Sequence, residues 1–454
     1  MADPLKQYLS RHAEPEAAAA DALDGSFGHV LIVPAYGERE SLFATLGSVR
    51  EGPRGPTLIV VVLNAREHSP PAIHEANAAA RERLRSNATG ATASSTVSAE
   101  LGIESLDYPH GRIVVVDRAS PGRFLPEGQG VGLARKIGND LALRLSAAGR
   151  IAAGWLHNTD ADTVLPEDYF DQTEAREGDE AAAAVYFFEH RFEPDERLAL
   201  AARLYEISLR YYVLGLAWAG SPYAYEAMGS CIAIRPAAYA AVRGFPRKNA
   251  AEDFYVLDKL AKTGPILRFG GAPVLLEGRI SERVPFGTGK ALSQLLSKKR
   301  GLEGFRLYHP AVFGHLAAWL RVLDETAKSG GRAEAALGEL PPANPFFRAD
   351  VLLAALERMG AFPAVREAIA ESTTERAMRR RFHTWFDAFR TLKLVHALRD
   401  EGLPSMTWRE ALAEAPFTGL AASTVEDPEP LRKLLAAEER KLSEEPAGTV
   451  EVES

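Results

Sequence analysis

Two uninterrupted apolar runs separated by a helical pattern constrain this fold more than anything else in the chain. From His29 to Ala35 the sequence is continuous, β-branched and closed by a proline turn, as in a strand buried on both faces. Leu42, Leu46 and Val49 then recur at helical spacing, and Thr57 to Asn64 repeats the buried-strand pattern. A strand, a helix and a second buried strand predict a βαβ unit, and hence a mostly parallel sheet flanked by helices.

The same alternation continues. Arg66 to Gly111 is polar and rich in alanine and serine, and is read as a helix followed by a mobile loop. A third strand, Arg112 to Asp117, leads through Gly122, Gly128, Gly130 and Gly132 into a helix from Leu133 to Ala148. A fourth, Ile151 to His157, ends in Asn158-Thr159-Asp160-Ala161-Asp162-Thr163. Val185 to His190 and Gly229 to Arg235 read as strands, Arg197 to Leu216 and Ala250 to Thr263 as helices. Beyond Ala291 the pattern is helical, with Phe382, Trp385, Phe386, Phe389 and Leu392 on one amphipathic helix. The expected division is an N-terminal extension over 1–27, an α/β catalytic domain over 28–290 and a C-terminal helical domain over 291–454 with a frayed tail.

Charge and composition exclude several classes. With 53 basic and 61 acidic residues the net charge is -8, so no basic field gathers nucleic acid. The single cysteine, Cys231, makes no internal disulfide, which fits a reducing, cytoplasmic setting. Met1 to Asp24 lacks the apolar core of a signal peptide, and Tyr211 to Ala219, the most apolar stretch, is far shorter than a transmembrane helix of roughly 20 residues. Arg376, Arg379, Arg380 and Arg381 beside Phe382, Trp385 and Phe386 leave membrane-surface or partner binding as one option, and packing against the catalytic domain with the arginines solvated as the simpler one.

Chemistry concentrates at strand ends, where open α/β sheets bind ligands. Asp160 and Asp162 flank a small alanine just after a strand, and an extended backbone there turns both carboxylates the same way. Hard divalent cations take such oxygens together with phosphate and water. A metal held by Asp162 across a diphosphate neutralises the charge of a departing nucleotide. Glu252-Asp253 opens a helix, where carboxylates also serve as caps. Asp253 is the candidate base that takes a proton from an attacking hydroxyl, with Glu252 orienting the acceptor. Arg283 and Lys290, in a glycine-containing loop, are candidates for meeting the diphosphate.

Val33-Pro34-Ala35-Tyr36-Gly37-Glu38, the glycine-rich turn with Ala134-Arg135-Lys136, Asp160-Ala161-Asp162, Gly229-Ser230 and Glu252-Asp253 together resemble the family 2 glycosyltransferases of GT-A fold, over roughly residues 28 to 290. The resemblance implies a metal-dependent hexosyltransferase-type enzyme with a nucleotide-sugar donor, Mg or Mn, and inversion at the anomeric carbon. It implies that Pro34, Ala35, Tyr36 and Glu38 line the nucleoside pocket, that Asn64 touches the base, that Arg135 approaches the nucleotide, that Gly229 and Ser230 belong to the donor site, and that Asp160 meets ribose or metal.

This chain departs from the family pattern at Gly37, Asn64 and Lys136, in the long Arg66 to Gly111 insertion, and in lacking a Gln-x-x-Arg-Trp motif and membrane spans, which argues against a processive synthase. A sugar-phosphate nucleotidyltransferase or a non-catalytic nucleotide-sugar binder are the alternatives. The acceptor and the oligomeric state are not encoded in any motif.

Overall fold

The computed structural model describes residues 4–88, 94–192, 195–280, 288–297, 302–331, 333–338, 347–420 and 427–444. The chain forms two compact units: Met1–Arg191 with Ala227–Lys290, and Phe192–Glu226 with Ala291–Ser454. The segment Phe192–Glu226, which the sequence reading assigns to the catalytic domain, thus belongs to the helical unit.

The first unit is a mixed α/β structure around a 9-stranded, mostly parallel sheet. Its strands in chain order are β1 (His29–Ala35), β2 (Thr57–Asn64), β3 (Ser94–Ser98), β4 (Ile103–Tyr108), β5 (Gly111–Arg118), β6 (Leu156–Asn158), β7 (Thr163–Val164), β8 (Ala183–Val185), β9 (Phe188–Arg191), β10 (Ile232–Ile234), β11 (Ile266–Arg268) and β12 (Val274–Glu277). The large sheet runs β11-β8-β10-β6-β1-β2-β5-β4-β3, while β7, β12 and β9 form a separate small sheet. β1 lies parallel between β2 and β6, and β2 is parallel to β5. Only β4 and β10 run against the others in the large sheet.

Every residue of β1 and β2 is buried, as their unbroken apolar runs require. The helix Val131–Ala147 lies against this pair. A Cβ on Gly138 would stand 2.6 Å from Ile32 Cγ2, so the glycine sets how closely helix and sheet approach.

Several elements differ from the sequence reading. The stretch read as helix plus loop holds the helix Pro71–Ser86 and then the antiparallel hairpin of β3 and β4, which extends the sheet edge. Polar side chains suit an edge hairpin, and they hid it. The fourth strand shrinks to Leu156–Asn158, with Ile151 reduced to a single bridge to Phe27. Val185 to His190 divides into β8 and β9, which join different sheets. The N-terminal segment is folded: the helix Pro4–Arg11 and the 3-10 turn Pro15–Ala22 pack on the unit through Tyr8, which donates to Asp140 at 2.6 Å.

The second unit is helical. Trp319, Trp408, Tyr211 and Phe313 sit in one continuous core, where truncating a tryptophan to alanine costs about 3–5 kcal/mol. Tyr211, Tyr223 and Tyr225 are buried as well. The single amphipathic helix expected around Phe382 is two, Glu375–Trp385 and Ala388–Glu401. Asp387 ends the first and caps the second by accepting from Arg390 N. Phe382 and Phe386 are buried in the core of the helical unit, and Arg379 and Arg381 are ion-paired with Asp324 and Glu371 where the sequence reading expects solvated arginines. Among the described residues no helix is long and apolar enough to cross a membrane.

Candidate functional site

Four segments of the first unit converge: the loop after β1, the turn after β6, the start of the helix Glu252–Leu260, and the residues after β12. The turn after β6 is pinned from below. Thr159 N donates to Ile32 O at 3.1 Å and Thr163 N to Thr45 Oγ1 at 3.1 Å. Thr45 returns a bond to Thr163 O at 2.7 Å, and the Thr159 and Thr163 hydroxyls lie 2.8 Å apart. Ala161 is buried between the two aspartates. The motif is therefore a fixed turn and not the extended segment expected, and each carboxylate goes to a different arginine.

Arg135 is fully enclosed. Its Nη2 donates to Asp160 Oδ1 at 2.5 Å and its Nε to Glu252 Oε1 at 3.0 Å. A Cβ on Gly229 would stand 2.4 Å from Arg135 Nη2, which explains the glycine. The resemblance brings Arg135 to a nucleotide; its observed place is beneath the site, bridging the motif to the Glu252-Asp253 pair. Gly229 N donates to Asp253 Oδ2 at 2.9 Å, and Phe254 N to Asp253 Oδ1 at 2.8 Å. Glu252 is buried and Asp253 half-buried. Ala251, just before them, has φ 59, a left-handed conformation that costs a non-glycine residue about 1–3 kcal/mol.

Glu38 and Asp162 share a second arginine. Arg279 Nη2 lies 3.0 Å from each Glu38 oxygen and 2.7 Å from Asp162 Oδ2. Sequence reasoning missed Arg279, although the signal existed: it follows the apolar run of β12 by two residues, at a strand end.

Of the nucleoside-side candidates, Pro34 and Ala35 close β1 and are buried, and Tyr36 is half-buried with its hydroxyl 3.1 Å from Ser69 Oγ. Asn64 Nδ2 donates to Ala35 O at 2.9 Å and Val62 O at 3.2 Å, tying the ends of β1 and β2 together. Gly37, at φ 66, donates to Asn77 Oδ1, which fixes the loop that carries Glu38. Ser230 is buried beside Gly229, and Lys290 lies in the helix Thr288–Ser297. Arg283 lies outside the described residues. His157 is a core residue held by Val30 O and Thr173 Oγ1, each at 3.0 Å.

Five carboxylates (Glu38, Asp160, Asp162, Glu252, Asp253) thus face two guanidinium groups. Burial, then Asp160 and Glu38, push Asp162 up to about 6 against the pull of Arg279. Burial raises Asp160, opposed by Arg135 and reinforced by Glu252, although 39% of its side chain faces solvent. Glu252 is raised by burial and then by Asp253; Asp253 is raised by burial and held back by its backbone donors.

Excess negative charge of this kind suits a divalent cation. Asp160 Oδ2 and Asp162 Oδ1 have no hydrogen-bond partner among the described residues. Among those residues no group of three or more His, Cys, Asp or Glu is arranged to hold a metal. The set does not form an all-protein cage, but it fits a Mg or Mn ion that completes its shell with phosphate and water.

Elsewhere, a cavity of about 870 Å³ lies in the helical unit, lined by Trp218, Arg321, Arg376 and His383 among others, and holds none of the candidate site residues.

No protein-family model and no curated protein matches the chain. Among solved structures, the mannosyltransferase PcManGT from Pyrobaculum calidifontis, in complex with GDP-Man and Mn2+, aligns at 18% identity over 87% of this chain and 92% of that one, with a TM-score of 0.31.

Proposed function

We propose that this chain is a glycosyltransferase of GT-A type, similar to family 2, that moves a sugar from a nucleotide-diphosphate-sugar to a hydroxyl acceptor. The observation that carries the reading is the convergence of Glu38, Asp160, Asp162, Glu252 and Asp253 on two arginines at the strand ends of the mostly parallel sheet. Carboxylates in excess, one side open, suit a divalent cation that carries the diphosphate, with a proton acceptor beside it.

In this reading Asp162, with Asp160, holds Mg or Mn, which when bound neutralises charge on the leaving diphosphate. The loop from Pro34 to Glu38 and Asn64 border the nucleoside, with Gly229 and Ser230 beside the donor. Asp253 takes the acceptor's proton, and its burial-raised pKa favours this. The Gly229 N–H and Phe254 N–H fix the direction of its carboxylate. Arg135 keeps the metal side and the base side in register, and Glu252 orients Arg135 from below the acceptor. Lys290 and Arg283 serve the diphosphate. Attack from the side opposite the leaving group makes the transfer inverting.

The test is nucleotide release from a panel of nucleotide-sugars with Mn2+, combined with thermal shift. Selective stabilisation by one donor with metal is expected; a panel in which no donor binds removes the proposal.

A further inference from the structure

Arg279 occupies a position that the transferase reading leaves without a role. Its Nη2 alone contacts both Glu38 oxygens and Asp162 Oδ2, at 3.0, 3.0 and 2.7 Å. The other donors of the guanidinium, on Nε and Nη1, bond to nothing among the described residues. The side chain is 30% exposed. A planar cation with unspent donors, fixed beside a carboxylate that is a candidate metal ligand, has the geometry for binding phosphate oxygens.

The contact with Asp162 matters most. Asp162 has one oxygen on Arg279 and one without a partner, and a divalent cation wants that same carboxylate. Arg279 therefore does two things. Without ligand it compensates Glu38 and Asp162, which would otherwise repel each other and Asp160 across a poorly solvated site. With metal present, its charge beside Asp162 is redundant and repulsive.

Resting on the glycosyltransferase reading for the identity of the ligand, we infer that Arg279 is the resident counter-cation of the Glu38 and Asp162 carboxylates and the arginine that binds the donor's diphosphate. It gives up Asp162 when a divalent cation binds there, keeps Glu38 as its anchor, and turns its unspent donors to the phosphates. Glu38 is on this account an anchor for phosphate recognition in addition to bordering the nucleoside.

The experiment compares wild type with Arg279→Met and Arg279→Lys at pH 8. Mn2+ binding is read by electron paramagnetic resonance on protein alone, and UDP and GDP binding by calorimetry in saturating Mn2+. Circular dichroism confirms folding of each variant. Arg279→Met should bind Mn2+ several-fold more tightly, because a competing cation has gone. It should bind the nucleoside diphosphate roughly tenfold or more weakly, the loss expected for hydrogen bonds to a charged group. Arg279→Lys, which keeps the charge but not the fork, should fall between on both readings.

A purely structural clamp predicts the reverse sign for metal. Mn2+ affinity that is unchanged or weaker in Arg279→Met overturns the counter-cation role, and unchanged nucleotide affinity overturns the phosphate role. Wild type that binds Mn2+ but neither nucleotide overturns the phosphate role together with the glycosyltransferase reading, a result distinguishable from failure in the variants alone.

Discussion

Arg135 and Lys136 follow one another on the helix Val131–Ala147, yet they lead to two buried charge clusters built on different principles. Lys136 donates to Asp140 Oδ2 at 2.6 Å, to Tyr8 Oη at 2.6 Å and to His12 O at 2.8 Å, which uses all three of its protons. Asp140 in turn accepts from Tyr8, Tyr239, Lys136 and Glu14 N, and no part of it is exposed. That cluster is saturated and locks the N-terminal helix to the unit. The Arg135 cluster has more carboxylates than cations, keeps oxygens without partners and opens to solvent at Asp160. A protein that needed only stability would have closed it in the same way. On the proposed function, surplus charge more than burial is what separates a site for ligands from a strut.

Substitutions can break this comparison in order of expected size. Asp253→Asn should lower kcat by about 10²–10⁴-fold, as removal of a general base does, with donor affinity preserved in calorimetry; unchanged turnover would take the base role from Asp253. Asp162→Ala should cost about 10²–10³-fold in kcat, accompanied by loss of metal-dependent donor binding. An Asp162→Ala variant with normal metal-dependent affinity would place the cation elsewhere. In the saturated cluster, Lys136→Met should destabilise the fold by about 3 kcal/mol, the cost of stranding a buried charge, measured by urea denaturation. Turnover per folded molecule should stay near wild type. A stable but inactive Lys136→Met would erase the distinction between the two clusters.

The smallest effect is that of pH. Asp162 sits at about 6, pushed up first by burial. As a metal ligand it must be ionised, so metal-dependent donor binding should weaken as pH falls through about 6, by roughly tenfold per unit below it. Stability should move the other way at this residue. A carboxyl raised by folding stabilises the native state below its ordinary value of 3.8, and that contribution is lost as pH rises through about 6. Asp162→Asn should therefore gain stability relative to wild type between pH 4 and 7, and an equal pH dependence of the two would rule out the raised carboxyl.

The sequence made part of this legible. β1 and β2 announced themselves because strands buried on both faces must be apolar throughout, and the acidic residues that follow strand ends are brought together in one cluster. The hairpin of β3 and β4 was hidden because an edge strand pair tolerates serine, threonine and glutamate. The division of Phe382 to Leu392 into two helices turns on one capping side chain, Asp387, inside an otherwise continuous apolar period. In the site, Asp160, Asp162, Glu252 and Asp253 stood out as acidic pairs, whereas Arg279 is a lone basic residue that gains meaning only from what it faces. The burial of Arg135 depends on Gly229, 94 positions away in the chain, and no local pattern carries that contact.

The central claim is that the open carboxylate cluster serves a nucleotide-sugar in the presence of a divalent cation. The most direct measurement is calorimetric titration of the purified chain with UDP-sugars and GDP-sugars, with Mn2+ and with EDTA, in wild type and Asp162→Ala. The account predicts saturable binding of at least one donor by wild type with Mn2+, lost with EDTA and lost in Asp162→Ala. Binding that is indifferent to both metal and Asp162, or no binding to wild type by any donor, would contradict it.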